Sequence, residues 1–156
     1  MKYIQTIILL LLVIIIGCDT QKSAVNADSA DLAISEKEKE IFRSKEQDTV
    51  TIANDSVEYE ITIIEPGFYA WLNSIAQPRG YYSKEFMENR NDVYVTNWNI
   101  RATQPTIYNT DLYLWPINYD PSIDYGYEVN YQLYNYFLYF QRKYNQRLGP
   151  FLPRIN

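Results

Sequence analysis

The chain has 156 residues, 14 Lys and Arg against 19 Asp and Glu, a formal net charge of −5, no His, one Cys and 16 Tyr. That length fits one domain, not two, and its composition excludes an intrachain disulfide, a Cys/His metal or haem site and histidine acid/base chemistry. An acidic chain also lacks the concentrated basic surface that nucleic acid requires, and no cofactor is expected.

Residues 1–17 read as a processing segment. Lys2 is a minimal positive start, and Ile4 to Ile16 is apolar apart from Gln5 and Thr6. A spanning helix needs about 20 apolar residues, so this shorter run suits the hydrophobic region of a signal peptide. Ile15-Ile16-Gly17-Cys18 resembles the lipobox of bacterial lipoproteins. That resemblance implies a diacylglycerol on the Cys18 sulfur, further acyl chains such as palmitate, and cleavage before Cys18. Each buried CH₂ contributes about 0.8 kcal/mol, so several chains on one residue hold a protein almost permanently. The alternative is an uncleaved anchor with an incidental Cys; against it, the only Cys falls where a lipobox needs one. The expected location is the cell envelope, facing the periplasm. Asp19 resembles the inner-membrane retention signal of enterobacterial lipoproteins, but other phyla sort differently, so inner and outer membrane both stay open.

Residues 18–47 are expected to form the lipidated Cys and a flexible acidic tether. Phe42 is the one aromatic there, and Ser, Ala, Asp, Glu and Lys dominate, so little apolar area offsets the entropy of ordering. As a coil, 29 residues would span about 30 Å. Ser35 and Glu38 have capping-box spacing, which predicts a short helix to about Glu46, although isolated helices of that length are marginal. Charge divides the chain: Asp19 to Glu65 holds 12 acids and 5 bases, net −7, and Pro66 to Asn156 holds 7 acids and 8 bases, net +1.

Residues 48–156 are expected to form a single small α+β domain, mostly helical, with an N-terminal β-hairpin packed on two or three helices. Thr49 to Ala53 and Val57 to Ile64 are rich in β-branched residues, and Asn54-Asp55-Ser56 supplies the turn. In the second run Val57, Tyr59, Ile61 and Ile63 alternate with Glu58, Glu60 and Thr62, one face buried and one acidic. Glu65-Pro66-Gly67 ends the hairpin. Phe68 to Ala76 predicts a short helix carrying Trp71, Leu72 and Ile75. Ser83 is the expected N-cap of a helix to about Thr103, stopped by Pro105. Residues 105–124 hold three prolines and read as a structured loop. Tyr125 to Leu148 predicts the long helix, ended by Gly149-Pro150.

On the Ser83–Thr103 wheel, Arg90, Asn97 and Arg101 lie within the side that carries Phe86, Met87, Val93, Tyr94, Trp98 and Ile100. A buried Arg needs a partner, so Arg90 and Arg101 are expected to stack on aromatic rings and meet Asp124 or Glu128, or else to snorkel past the rings to water. The Tyr125–Leu148 helix is apolar on two sides, with Val129, Leu133, Tyr136, Phe137, Phe140 and Tyr144 on one and Tyr127, Tyr131, Tyr134 and Leu138 on the other. It is therefore expected at the centre. Arg142, Lys143 and Arg147 suit its C-terminal end. Ten of the 16 Tyr lie between Tyr108 and Tyr144, serving either a shallow core or a binding surface.

Glu65-Pro66-Gly67-Phe68, Pro78-Arg79-Gly80-Tyr81-Tyr82-Ser83 and Asp124-Tyr125-Gly126-Tyr127-Glu128-Val129-Asn130-Tyr131 resemble runs of an uncharacterised family of small Bacteroidota lipoproteins. That resemblance implies an envelope lipoprotein and no particular activity. The candidate binding or ion-pair residues are Arg79, Arg90, Trp98, Arg101, Asp124 and Glu128. Two functions compete. One is a non-enzymatic, membrane-held binding or structural module with an envelope protein as partner. The other is a glycan binder or small glycosidase, with Trp71, Trp98 and Trp115 as stacking platforms and Asp120, Asp124 and Glu128 as carboxylates. No phosphate loop, nucleophile elbow or metal-ligand spacing is present in the sequence, so neither a catalytic nor a metal-binding residue is expected.

Overall fold

The computed structural model describes residues 32–45 and 49–155. The signal peptide, Cys18, residues 19–31, and Glu46 to Asp48 at the expected end of the tether and start of the domain lie outside the described residues. The fold is α+β and mostly helical. In chain order it comprises α1 (Glu36–Phe42), β1 (Thr49–Asn54), a 3₁₀ turn (Asp55–Val57), β2 (Tyr59–Ile64), α2 (Phe68–Ser74), α3 (Lys84–Ala102) and α4 (Gly126–Lys143).

The hairpin forms as its alternation predicts, with Val50 opposite Ile63 and Ile52 opposite Ile61. Val50, Ile52 and Tyr59 are buried. The second strand starts two residues later than expected. Val57 is taken up by the 3₁₀ turn and Glu58 adopts a left-handed conformation with φ 51°, so Val57 is exposed rather than on the buried face.

The long helix is central. One side of α4 packs on β1, others on α2 and α3, and every residue from Val129 to Arg142 except Gln132 is buried, which leaves it almost no free face. It ends before the expected Gly149-Pro150. Asn145 takes the left-handed conformation (φ 48°), and the Gln146 N–H reaches the Gln141 carbonyl at 2.9 Å, the bond that closes a Schellman motif. Gly149 serves close approach instead: a Cβ there would lie 2.9 Å from Val93 Cγ1 of α3.

The two long helices run parallel. Lys84 meets Asp124, Asn91 meets Asn130, and Arg101 meets Gln146 and Arg147, so numbers climb together along both. A 19-residue helix is about 28 Å long, and residues 103–125 must carry the chain back over that distance. Their backbone is held by side chains on the way. Asn99 of α3 gives its Nδ2 to the Ile117 carbonyl (2.8 Å) and takes the Ile117 N–H on Oδ1 (2.7 Å). Trp98 Nε1 donates to the Trp115 carbonyl at 2.9 Å, and Tyr125 Oη accepts the Asp120 N–H at 2.9 Å.

The described part of the expected tether, residues 32–45, is not free of the fold, because α1 is docked on it. Ser35 and Glu38 form the predicted capping box, and the helix ends at Phe42 rather than near Glu46. Glu38, 1% exposed, is held by Arg142 Nε (2.6 Å) and Nη2 (2.8 Å) and by Trp71 Nε1 (3.1 Å). Arg142 also donates to the Pro153 and Ala33 carbonyls. Phe42 lies edge-on to Tyr139, with ring centroids 5.4 Å apart. A polar segment becomes ordered here because its one buried charge finds a counter-charge 104 residues away.

Burial pushes the Glu38 carboxyl up, but the hydrogen bonds from Arg142, the Ser35 backbone and Trp71, with the Arg142 charge, outweigh it and hold the group below the usual range. Because the folded value lies below the unfolded one, this contribution is complete above about pH 4.3 and is lost as the pH falls through the folded value. Glu38→Gln leaves Arg142 buried without its counter-charge. The expected loss is about 3–5 kcal/mol, read as a lower urea midpoint at neutral pH that converges on wild type under acid conditions. Equal midpoints at neutral pH would mean that α1 does not contribute to the folded unit.

Candidate functional site

The six residues singled out in the sequence do not converge. They are spread along the parallel pair from its N-terminal to its C-terminal end, and only Arg79 and Glu128 touch. At the N-terminal end the second and third sequence runs pack against each other. Arg79 forms a two-pronged pair with Glu128, Nε to Oε2 at 2.8 Å and Nη2 to Oε1 at 2.6 Å, and its guanidinium lies 4.5 Å from the Tyr131 ring centre. Gly80, in the left-handed region at φ 88°, gives its N–H to Tyr127 Oη at 2.7 Å. Tyr82 stacks on Phe86 at 5.0 Å, and Ser83 caps α3 by accepting the Phe86 N–H at 3.1 Å. Lys84 donates to Asp124 Oδ2 at 2.8 Å, and Asp124 Oδ1 accepts the Gly126 N–H.

The hydrogen bond from Lys84, with that from the Gly126 N–H, holds the Asp124 carboxyl below the usual carboxylate range. Arg79 does the same for Glu128. A general acid needs a raised pKa, so both carboxylates are tuned away from that role. Asp120 is also lowered, by the Ser122 hydroxyl and N–H.

Arg90 and Arg101 do stack on rings, but the expected carboxylates are absent from both. Arg90 lies over Phe151 (3.2 Å to the ring centre) and Phe86 (5.0 Å), and its buried Nη1 has no hydrogen-bond partner among the described residues. Arg101 lies 5.4 Å from both the Tyr108 and Tyr113 rings. It donates to Tyr113 Oη at 2.6 Å, to Gln146 Oε1 at 3.5 Å and to the Arg147 carbonyl. The cause is the direction of the helices. Arg101 ends α3, while Asp124 and Glu128 flank the start of α4; antiparallel helices would bring them together, and parallel ones hold them at opposite ends.

Trp98 is core, not surface. It is 5% exposed and packs edge-on to Tyr113 and Phe140 at 5.0 and 4.8 Å. Trp71 is fully buried. The tyrosines from 108 to 144 are likewise buried or half-buried; some of their hydroxyls reach backbone groups, as Tyr131 reaches the Gln77 carbonyl at 2.9 Å, and others reach side chains, as Tyr119 reaches Asn130 Oδ1 at 2.9 Å. The exposed aromatic surface is made elsewhere, by Trp115 (79% exposed), flanked by Leu114 (67%) and joined by Ile107 (65%). Tyr108 and Tyr113, which precede or follow these residues, have ring centroids 6.4 Å apart, so the two stretches lie side by side. Tyr81 is a separate exposed ring at the other end.

Sequence reasoning missed the two buried pairs on α4. Besides Glu38–Arg142, Lys143 donates to Glu65 Oε1 at 2.7 Å and to the Pro66 carbonyl at 2.8 Å, and Tyr144 Oη donates to the same carboxylate at 3.0 Å. Glu65-Pro66-Gly67-Phe68 is thus a structural joint. Gly67 is left-handed at φ 84°, and a Cβ there would meet the Ile41 carbonyl oxygen at 2.8 Å; Phe68 is fully buried. One signal for Arg142 was present: it continues the Tyr131–Leu138 stripe at helical spacing. Among the described residues no group of His, Cys, Asp or Glu is placed to hold a metal ion, and no helix is long and apolar enough to cross a membrane.

These features describe a small α+β unit whose prominent ionic contacts are structural and whose apolar surface lies on a return segment. The chain belongs to the Family of unknown function (DUF6146), which matches residues 6–151. No curated protein and no solved structure matches it.

The two stacked arginines give a direct test. Arg101→Ala strips hydrogen bonds donated by a charged group, each contributing about 1.5–3 kcal/mol, and is expected to lower stability by at least about 2 kcal/mol. Arg90→Met keeps the stem packing and removes the unpartnered donor, so its urea midpoint is expected to stay within about 0.5 kcal/mol of wild type or rise. Reversal of that order would show that the stacking on Phe151 outweighs the hydrogen bonds of Arg101.

Proposed function

We propose that the protein is a lipid-anchored component of a bacterial cell envelope, of the kind found in Bacteroidota, held by acyl chains on Cys18. Its folded part is a non-catalytic module that binds through a rigid apolar surface. The observation that carries the binding role is Trp115, the most exposed large apolar side chain among the described residues, on a segment whose backbone is fixed by Trp98 and Asn99. A surface held in place before contact loses little further entropy on binding. The anchor rests on Ile15-Ile16-Gly17-Cys18 and the apolar run before it.

A glycan-binding role has one observation in its favour, since an exposed indole is a stacking platform. Its neighbours Leu114 and Pro116 offer no side-chain hydrogen bonds to the hydroxyls of a stacked sugar. Asp120, Asp124 and Glu128 are held below the usual carboxylate range, which does not suit them to the general-acid half of a glycosidase pair.

Cells given radioactive palmitate are expected to label the wild-type chain and not Cys18→Ser, which is expected to migrate as an unprocessed precursor. Equal labelling of the two would remove the anchor. Trp115→Ala should leave the urea midpoint within about 0.5 kcal/mol of wild type while removing whatever co-purifies with the intact protein.

A further inference from the structure

We infer that the surface formed by Ile107, Leu114 and Trp115 meets lipid: it rests on the interface of the bilayer that holds the anchor, with the Trp115 ring among the headgroups. This rests on the lipid-anchor reading above and names the partner of the surface proposed there.

The first argument is position. The described chain begins at Leu32, and the Ala33 carbonyl accepts a hydrogen bond from Arg142, in the last turn of α4, at 3.1 Å. Tyr113, which precedes Leu114, is bonded to Arg101 in the last turn of α3. Because the two helices run parallel, their last turns lie at one end of the molecule. The point where the N-terminal chain joins the fold and the apolar surface therefore share that end. The 14 residue steps from Cys18 to Leu32 reach at most about 50 Å, which keeps the whole fold close to the lipid, and the end carrying Trp115 is the end at which that chain enters it.

The second argument is chemistry. Indole rings collect at membrane–water interfaces because an apolar body is joined to a polar N–H. Here the ring follows Leu114 in sequence and shares the return segment with Ile107, all three more than 60% exposed. Residues 103–119 contain a single charged side chain, Asp111, so little charge has to be desolvated. Arg101 behind the surface is bonded to neutral acceptors and leaves a positive charge at this end. The contact is apolar first and does not depend on anionic lipid.

Trp71 and Trp98 are buried, which makes Trp115 the reporter. The full-length lipidated protein is reconstituted into phosphatidylcholine vesicles, with and without bromine on the acyl chains, and its tryptophan emission is recorded with vesicle flotation as a separate readout. Wild type and Trp115→Phe should both float. Brominated lipid should remove the red-edge part of the wild-type emission and leave the emission of Trp115→Phe unchanged. Protein that floats while its Trp115 emission ignores brominated lipid but yields to aqueous acrylamide overturns the inference and leaves the anchor standing. Emission protected from both quenchers, and released on dilution, overturns it in favour of a second copy covering the surface. Failure to float overturns the anchor reading and this inference with it.

Discussion

Two long helices that follow one another in a chain and pack side by side are most simply joined by a short turn, which makes them antiparallel. Here α3 and α4 are parallel, and the chain between them must return along their length. That constraint organises much of the fold. The return segment has no regular partner for its backbone, and buried N–H and C=O groups left alone are costly. The flanking helices therefore supply side chains long enough to reach it: Asn99, Trp98 and Tyr125 each close a specific backbone bond. A core rich in tyrosine fits this arrangement, since a tyrosine fills apolar space with its ring and delivers a hydroxyl several ångströms away.

The ionic contacts fall into two kinds, set by depth. Arg79–Glu128 and Lys84–Asp124 lie at the surface, where a pair contributes little; their effect is to fix how the segment after α2 meets the start of α4. Glu38–Arg142 and Glu65–Lys143 are buried, and there the desolvation of each charge must be offset by its partner and by further hydrogen bonds. Both buried carboxylates have such bonds, from Trp71 and Ser35 in one case and Tyr144 in the other. Removing one member of either pair is therefore far more damaging than removing a surface residue.

Local signals in the sequence translated well. The period-two alternation gave the hairpin, Ser83 capped α3, Ser35 and Glu38 formed their box, and the two-sided apolar pattern of residues 127–144 marked the central helix. Signals that depend on distant partners did not. Composition placed α1 in a tether because the carboxylate of Glu38 looks solvated until Arg142 is brought to it. The arginine faces of α3 were read without knowing the direction of α4, so Arg101 was assigned carboxylates that lie at the far end. Gly149-Pro150 looked like a helix stop, but Asn145 reached the left-handed conformation first. Composition left the tyrosines open between core and surface; in the fold those from 108 to 144 are buried or half-buried, and Trp115 is left outside.

Arg142 has one further consequence, a mechanical one. Its guanidinium holds both Ala33 and Glu38, so a pull on the chain ahead of Leu32 meets that side chain first, before the Trp71–Glu38 bond and the Phe42–Tyr139 contact. The seven-residue α1 has only a short contact to resist peeling, whereas α4 is braced by β1, α2 and α3 packed on it. The fold thus has a built-in order of yielding: α1 gives way before the core is stressed, and the core can keep its shape while the strand that leads to it lengthens.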